Sequence, residues 1–314
     1  MPTVSVIIPN YNHASFLKQR INSVLYQTFQ DFEIIILDDC SHDNSRDIIE
    51  EYRLHPKIKC IVYNTINSGS SFKQWKKGIE LAESDYVWIA ESDDWCEPSF
   101  LAEMICAFNE NNDLVLAHCQ LLCIRNGIIE WRTDSKLLKE ISEGNVFNIQ
   151  NMLGYNGIPN ASGVVFKRKC FFHIGDQYLK MLYCGDWFIW SQICRQGKVF
   201  TSGKYLNYFN KHEGDVSGNA TVNGLDFTEG NLIFLNIIEQ EKPSQDSIKT
   251  ALDHRFKRLN TLKHCYTDPT LYEGIKNNLL QFYLDYHLQS PIVKQGFFER
   301  FKTLVKKLSK SYNN

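Results

Sequence analysis

Four short apolar runs in the first hundred residues, each followed by a segment of helical pattern, leave this chain few folds to choose from. Val4–Pro9, Phe32–Leu37, Lys57–Tyr63 and Tyr86–Ala90 are rich in β-branched residues and apolar in continuous rather than alternating fashion, as strands buried on both faces are. Between them, residues 14–27 carry Phe16, Leu17, Ile21, Val24 and Leu25 at helical spacing, and 45–52 and 71–83 read as further helices. Strand–helix alternation of this kind predicts an α/β fold with a mainly parallel, Rossmann-like sheet flanked by helices. Ligands in such sheets bind at the carboxyl ends of the strands. Those ends carry Asn10-Tyr11-Asn12, Asp38-Asp39 and Glu91-Ser92-Asp93-Asp94.

Further along, Leu114–Ile124 and Ile128–Trp131 flank Asn126-Gly127, a hairpin signal, and 164–166 and 199–209 add strand-like runs. Asp186–Arg195 has a helical pattern with the acid in its first turn. From about residue 222 the pattern is helical and polar-rich, with a boundary near 215–222, where Gly214, Gly218 and Asn219 cluster. Composition excludes several classes. Lys and Arg number 34 against 36 Asp and Glu, so no cationic surplus exists to displace the counterions of a nucleic acid. The ten cysteines form no Cys-x-x-Cys pair and read as reduced core thiols of a cytoplasmic protein. The N-terminal segment does not read as a signal peptide, and no window of about 18 apolar residues suggests a membrane span.

The acidic run at 91–94 is the strongest chemical signal. Adjacent carboxylates repel unless a cation or a hydrogen-bonding ligand compensates, and hard oxygen donors suit Mg²⁺ or Mn²⁺. The competing reading is a solvated loop capping the helix that opens at Pro98. Asp38-Asp39 fits ligand binding or an Asx-turn equally well. Neither Gly-x-Gly-x-x-Gly nor a Walker lysine follows the first strand, so a dinucleotide or P-loop site lacks its phosphate cradle.

Taken together, Val4–Asn12, Gln27–Asp39, Asn67-Ser68-Gly69, Gly78, Ala82 and the strand ending at Asp93-Asp94 resemble, in order and spacing, the family 2 glycosyltransferases. The resemblance covers roughly residues 3–217. It implies the GT-A fold and inverting transfer of a sugar from a nucleoside diphosphate donor. It also implies roles: Pro9 and Tyr11 line the base pocket, Asp39 accepts from the base (favouring uracil), and Asn67 lies in the loop over the nucleotide. Asp93 matches the ribose carboxylate and Asp94 the metal ligand, with His212 a second metal or diphosphate ligand after the last strand. Glu91 stands where many members have Asp. Asn160–Gly163 is similar to the acceptor-side loop. Cys184–Trp190 resembles the family's Glu-Asp pair before a helix, with Gly185 in place of Glu and Asp186 kept as general base. Lys73, Lys76 and Lys77 suit phosphate or a solvated helix face, and His118 and His173 read as structural.

The expected organisation is therefore a GT-A domain over 1–217, with a nucleotide-binding half at 1–95 and an acceptor half at 96–217, and a helical C-terminal extension over 218–314. In its tail, residues 291–314 set six Lys and Arg against a single Glu, with Phe297, Phe301, Leu304 and Leu308 on one helical face. A basic amphipathic helix of this kind suits peripheral contact with an anionic membrane. The expected function is transfer from a nucleotide-sugar, a UDP-sugar first, to a glycan or lipid-linked oligosaccharide in bacterial surface polysaccharide synthesis, with Mn²⁺ or Mg²⁺. The alternative is a non-catalytic nucleotide-sugar or partner-binding module of the same fold. A nucleotidyltransferase would need a Gly-rich triphosphate loop, which the sequence lacks.

Overall fold

The computed structural model describes residues 1–212 and 221–290. The expectations for Gly214, Gly218, Asn219 and the 291–314 tail lie outside the described residues. The first half follows the predicted alternation: β1 (Val4–Asn10), α1 (Ala14–Leu25), β2 (Phe32–Asp38), α2 (Ser45–Glu51), β3 (Ile58–Tyr63), α3 (Ser71–Leu81) and β4 (Tyr86–Ile89). Its strands are all parallel, in the order β3-β2-β1-β4. Both faces are covered. Ile7, Ile35 and Leu37 pack against α3, while Val6, Ile8, Ile34 and Ile36 pack against α1. Each such side chain taken from water contributes about 1.5–3 kcal/mol, which is why these strands are apolar at every position instead of every second one.

The second half is more mixed than the mainly parallel sheet expected. It contains β5 (Trp95–Cys96), α4 (Phe100–Glu110), β6 (Leu114–Arg125), β7 (Ile128–Arg132) and β8 (Lys139–Glu143). The short helices α5 (Gly144–Phe147) and α6 (Arg168–Phe171) flank β9 (Val164–Lys167), and α7 (Gly185–Cys194) leads into β10 (Lys198–Lys211). The sheet continues β4-β9-β6-β10-β5, and β9 runs antiparallel to both its neighbours. The correct description is a mixed ten-stranded sheet, parallel only in its first half and at β6/β10. The β6–β7 turn is the predicted hairpin, with Asn126 at φ 51° and Gly127 at φ 76°, the left-handed pair that a two-residue loop requires.

The C-terminal helices α8 (Leu225–Glu241), α9 (Gln245–Thr261) and α10 (Pro269–Asp285) are not a separate appendage. Ile233, Phe234, Ile237, Leu252 and Tyr283 share one core with α3 and α7, and Phe227, Phe256, Leu259 and Leu279 form a second cluster among the helices. Among the described residues no helix is long and apolar enough to cross a membrane. All ten cysteines are free thiols, six of them buried. His118 is buried against Thr201, its Nε2 2.9 Å from the hydroxyl, and burial pushes its pKa down to about 4, as a structural histidine.

Candidate active site

β1 pairs with β4 only over Val4–Ile7. Beyond that point the two strands have no ladder to share, so Pro9, which has no N–H, is accommodated in a central strand, and a crevice opens at the carboxyl ends. The loops around it are tied together. Asn12, at φ 55°, accepts from the His42 N–H through its side chain (2.8 Å), and its own N–H donates to Ser41 Oγ (2.9 Å). Cys40 also has a positive φ, 65°. Two non-glycine residues in this region, both at strand ends, are the kind of local strain that gathers at functional sites.

Three groups converge beside this crevice. His212, just past β10, has its Nε2 3.1 Å from Asp93 Oδ2. His13, at the start of α1, has its Nδ1 2.8 Å from Ser92 Oγ, and its ring meets His212 edge-on at 5.3 Å. One ligand atom from each of His13, Asp93 and His212 lies within 4.8 Å of the others. Burial opposes ionisation of Asp93, but the His212 hydrogen bond and the two nearby rings hold its carboxyl below the usual range. Burial pushes the His13 imidazole down, against the pull of Asp93 and with help from His212. An ionised carboxylate beside a neutral imidazole is the donor set a divalent cation prefers.

The two neighbouring aspartates face different partners, Asp93 the two histidines and Asp94 an inward network. Asp94, expected to hold metal, is 1% exposed. Its Oδ2 accepts from Asn160 Nδ2 (2.9 Å) and Ser162 Oγ (2.6 Å), and its Oδ1 from the Asn210 N–H (3.0 Å). The fully buried Arg20 guanidinium lies 3.9 Å behind it. Asp93, expected on the ribose, is the acid that faces the histidines. In the Asn160–Gly163 loop, expected on the acceptor side, the Asn160 amide and the Ser162 hydroxyl donate to Asp94. Burial and the neighbouring Asp93 push the Asp94 carboxyl up to about 7, against Arg20, Ser162 and Asn160.

Asp39, expected at the base, sits just past the end of β2. Its carboxylate is 4% exposed and accepts from Asn64 Nδ2 (2.6 Å), Gln74 Nε2 (2.9 Å), and the Ser68 N–H (3.0 Å) and hydroxyl (2.7 Å). Its donors thus come from its own chain, and it organises the 64–70 loop. Asn67 joins the same knot, donating to the Asp39 carbonyl (2.9 Å). Tyr11 stands exposed beyond β1, as a group meeting a base should. Lys76 pairs with Asp176, Lys77 donates to Asn64 Oδ1, and Lys73 to the Ser68 carbonyl, so these lysines serve the helix face and its loop.

Asp186 sits at the second position of α7. Its Oδ2 accepts from Asn156 Nδ2 (3.0 Å), and its Oδ1 from the Trp187 N–H (2.7 Å). Burial, with a contribution from the negative Glu229, pushes its pKa up to about 7, against the Trp187 and Asn156 hydrogen bonds. That value suits a group that must take a proton near neutrality. Helix α3 ties the parts together: Gln74 holds Asp39, Trp75 donates to Glu91 Oε1 (2.6 Å) and stacks on Trp190 of α7 at 5.8 Å. Glu91 is accordingly occupied by the indole, and burial with Asp93 and Asp94 pushes its pKa up to about 8; it is not part of the His13–Asp93–His212 cluster. Phe72 explains Gly185, because a Cβ there would lie 2.5 Å from the Phe72 ring. Gly185→Ala is expected to overpack this contact and cost about 1–3 kcal/mol; equal melting temperatures of variant and parent would refute it.

The sequence signals missed His13, Arg20, Trp75, Asn156 and Glu229. A histidine at a helix start and an arginine in a helical stripe carry no motif, and only the fold brings them to 91–94.

The model of the family described as Glycosyl transferase family 2 matches residues 5–169. A putative teichuronic acid biosynthesis glycosyltransferase, TuaG of Bacillus subtilis (strain 168), is 37% identical over 115 residues, covering 34% of this chain and 45% of that protein. An uncharacterised glycosyltransferase of Nostoc sp. (strain PCC 7120) is 30% identical over 222 residues, 67% of this chain and 65% of that protein. The chain thus matches less than two thirds of the length of either. Among solved structures, Staphylococcus aureus TarS 1–349 in complex with UDP-GlcNAc superposes with a TM-score of 0.68 at 19% identity, covering 89% of this chain and 81% of that one. At that identity the likeness shows the GT-A fold.

Proposed function

The chain belongs to glycosyl transferase family 2, and from that premise we propose that it transfers a sugar, with inversion, from a nucleoside diphosphate-sugar to a hydroxyl of a glycan acceptor. The observation that carries the reading is the His13–Asp93–His212 cluster at the mouth of the β1/β4 crevice. Its donor set, one carboxylate and two imidazoles, fits Mn²⁺ better than Mg²⁺, which prefers oxygen ligands, with Asp93 the anionic ligand and His212 and His13 the imidazole ligands. A cation held there supplies Lewis-acid stabilisation of the diphosphate that leaves. Asp94, Asn160 and Ser162 hold the loop that aims Asp93. Asp186 takes the proton from the acceptor hydroxyl as that oxygen attacks the anomeric carbon from the face opposite the leaving group, which inverts the configuration.

A UDP-sugar is the donor we propose: TarS, the structure matched above, holds UDP-GlcNAc, and Tyr11 is free to stack on a base. The acceptor class we propose is a cell-surface polysaccharide, and TuaG, the relative above, is named for teichuronic acid biosynthesis. The test is a screen of UDP-, GDP- and dTDP-sugars for donor hydrolysis with and without Mn²⁺. Release of UDP that requires the ion and stops with a chelator is expected. Nucleotide binding with neither hydrolysis nor transfer from any donor would leave a binding module in place of an enzyme.

A further inference from the structure

We propose that Glu229, on the first C-terminal helix, is a positioning residue for Asp186: it holds the turn from which α7 starts, and so places the proton acceptor. The inference rests on the base assignment made above for Asp186. Its grounds are geometric. The N–H groups of three consecutive residues, Leu182, Tyr183 and Cys184, all donate to the one carboxylate of Glu229, at 2.7, 3.0 and 2.7 Å. Successive backbone N–H groups turned to one point form an anion-binding nest, and here the anion comes from α8. Glu229 is 9% exposed, and among the described residues these three donors are what offsets its desolvation. The nest ends at Cys184, two residues before Asp186.

Gly230 shows that the clamp has no slack. A Cβ at that position would lie 2.9 Å from the Trp187 ring and 3.3 Å from the Arg255 guanidinium. The α8 backbone therefore presses on the residue next to Asp186. Arg255, fully buried, lies under the same turn. Its guanidinium is 6.0 Å from the Trp187 centroid and donates to the carbonyls of Phe227 and Gly230 and to Asn231 Oδ1. A shift of α8 is thus passed to the first turn of α7.

The groups around Asp186 make the test specific. On its own loop, Tyr183 and Cys184 are both held neutral by burial. From α8 come Glu229 and Asp226, and from α9 Arg255, Arg258, which pairs with Asp226 at 3.3 Å, and His254, whose ring lies on Tyr155 beside Asn156. The negative charge of Glu229 adds to the burial that raises the Asp186 pKa.

Glu229→Gln keeps the shape, removes the charge and turns an NH₂ toward at least one backbone N–H. The expected result is a kcat lower by about 10–100-fold, the scale for a displaced catalytic group. The KM for the donor and Mn²⁺-dependent UDP affinity should not change. The rising limb of the kcat–pH profile should move to lower pH, because a negative neighbour has gone. A lowered melting temperature with parental kcat and an unmoved limb would make Glu229 a structural clamp only. Should Glu229→Gln not fold, Glu229→Asp keeps the charge and shortens the reach. It is expected to lose kcat with its limb in place, and parental kcat there would overturn the proposal. Asp186→Asn, measured alongside, separates the two ideas. Turnover kept in Asp186→Asn overturns the base assignment and this inference with it. Turnover lost there but kept in Glu229→Gln overturns only the positioning role.

Discussion

Asp186→Asn is expected to lower sugar transfer by about 10²–10⁴-fold, the usual contribution of a positioned proton acceptor, while leaving UDP and Mn²⁺ affinity near the parental values. The side chain keeps its size, and an amide oxygen can still accept from the Trp187 N–H or from Asn156. What is lost is the capacity to hold a proton. Because burial places the Asp186 pKa at about 7, the parental rate should rise with pH through about 7 and level off above it. The sign of the stability effect separates this reading from a structural one. A carboxyl whose pKa is raised by folding binds its proton more tightly in the folded state than in the unfolded chain. Folding stability therefore falls as pH rises between the unfolded value near 4 and the folded value near 7, and stays lower above it. Asn has no such penalty, so the variant should melt at or above the parent at pH 8 and show no such gain at pH 5. A carboxylate serving only the helix dipole would behave in the opposite way: its loss would lower the melting temperature at pH 8, by about 0.3–1 kcal/mol of stability, and would leave turnover almost intact. Near-parental transfer by Asp186→Asn would end the catalytic assignment.

The first half of the sheet was legible in the sequence because its signal is local. Each of β1, β2 and β4 is apolar on both faces within four to seven residues, and the Asn126-Gly127 turn announces its hairpin by itself. The mixed character of the second half was not legible. The strand that joins the halves, β9, has four residues, too few for a period, and its antiparallel direction follows from pairing partners in β4 and β6 that lie far away in sequence. The site divides in the same manner. The acidic run at 91–94 is visible as a run, but which acid faces the crevice is decided by Asn160, Ser162, Asn210 and Arg20, none of them near it in the chain. His13 and Glu229 have no local signature at all. A histidine at a helix start or a glutamate among several on a helix becomes informative only when the fold shows what it touches.

Asp94→Ala and Asp93→Ala should fail in different ways, and the difference tests which of these neighbours holds the metal. Asp94 is the acceptor for Asn160, Ser162 and the Asn210 N–H, and the nearest anion to the buried Arg20. Removing it leaves a guanidinium charge without its counter-charge at 0% exposure. It also strands three donors, two of them buried. Breaking a buried pair from one side costs about 3–5 kcal/mol, a large part of the 5–15 kcal/mol that holds a typical domain together. Asp94→Ala is therefore expected to lower the melting temperature sharply, and to lose nucleotide binding because the fold around the crevice loosens. Asp93 is different. Its side chain is 17% exposed and its partners are the imidazole rings of His212 and His13. Asp93→Ala removes the anionic member of the cluster without orphaning a buried cation. It should fold and melt close to the parent, yet lose Mn²⁺-dependent UDP binding. Calorimetric titration of UDP with and without Mn²⁺, run beside thermal melts, reads both effects. If Asp94→Ala melted like the parent and had lost only the metal-dependent binding, while Asp93→Ala kept it, the metal would belong to Asp94. The inward network of Asn160, Ser162 and Asn210 would then have to open when the ion binds.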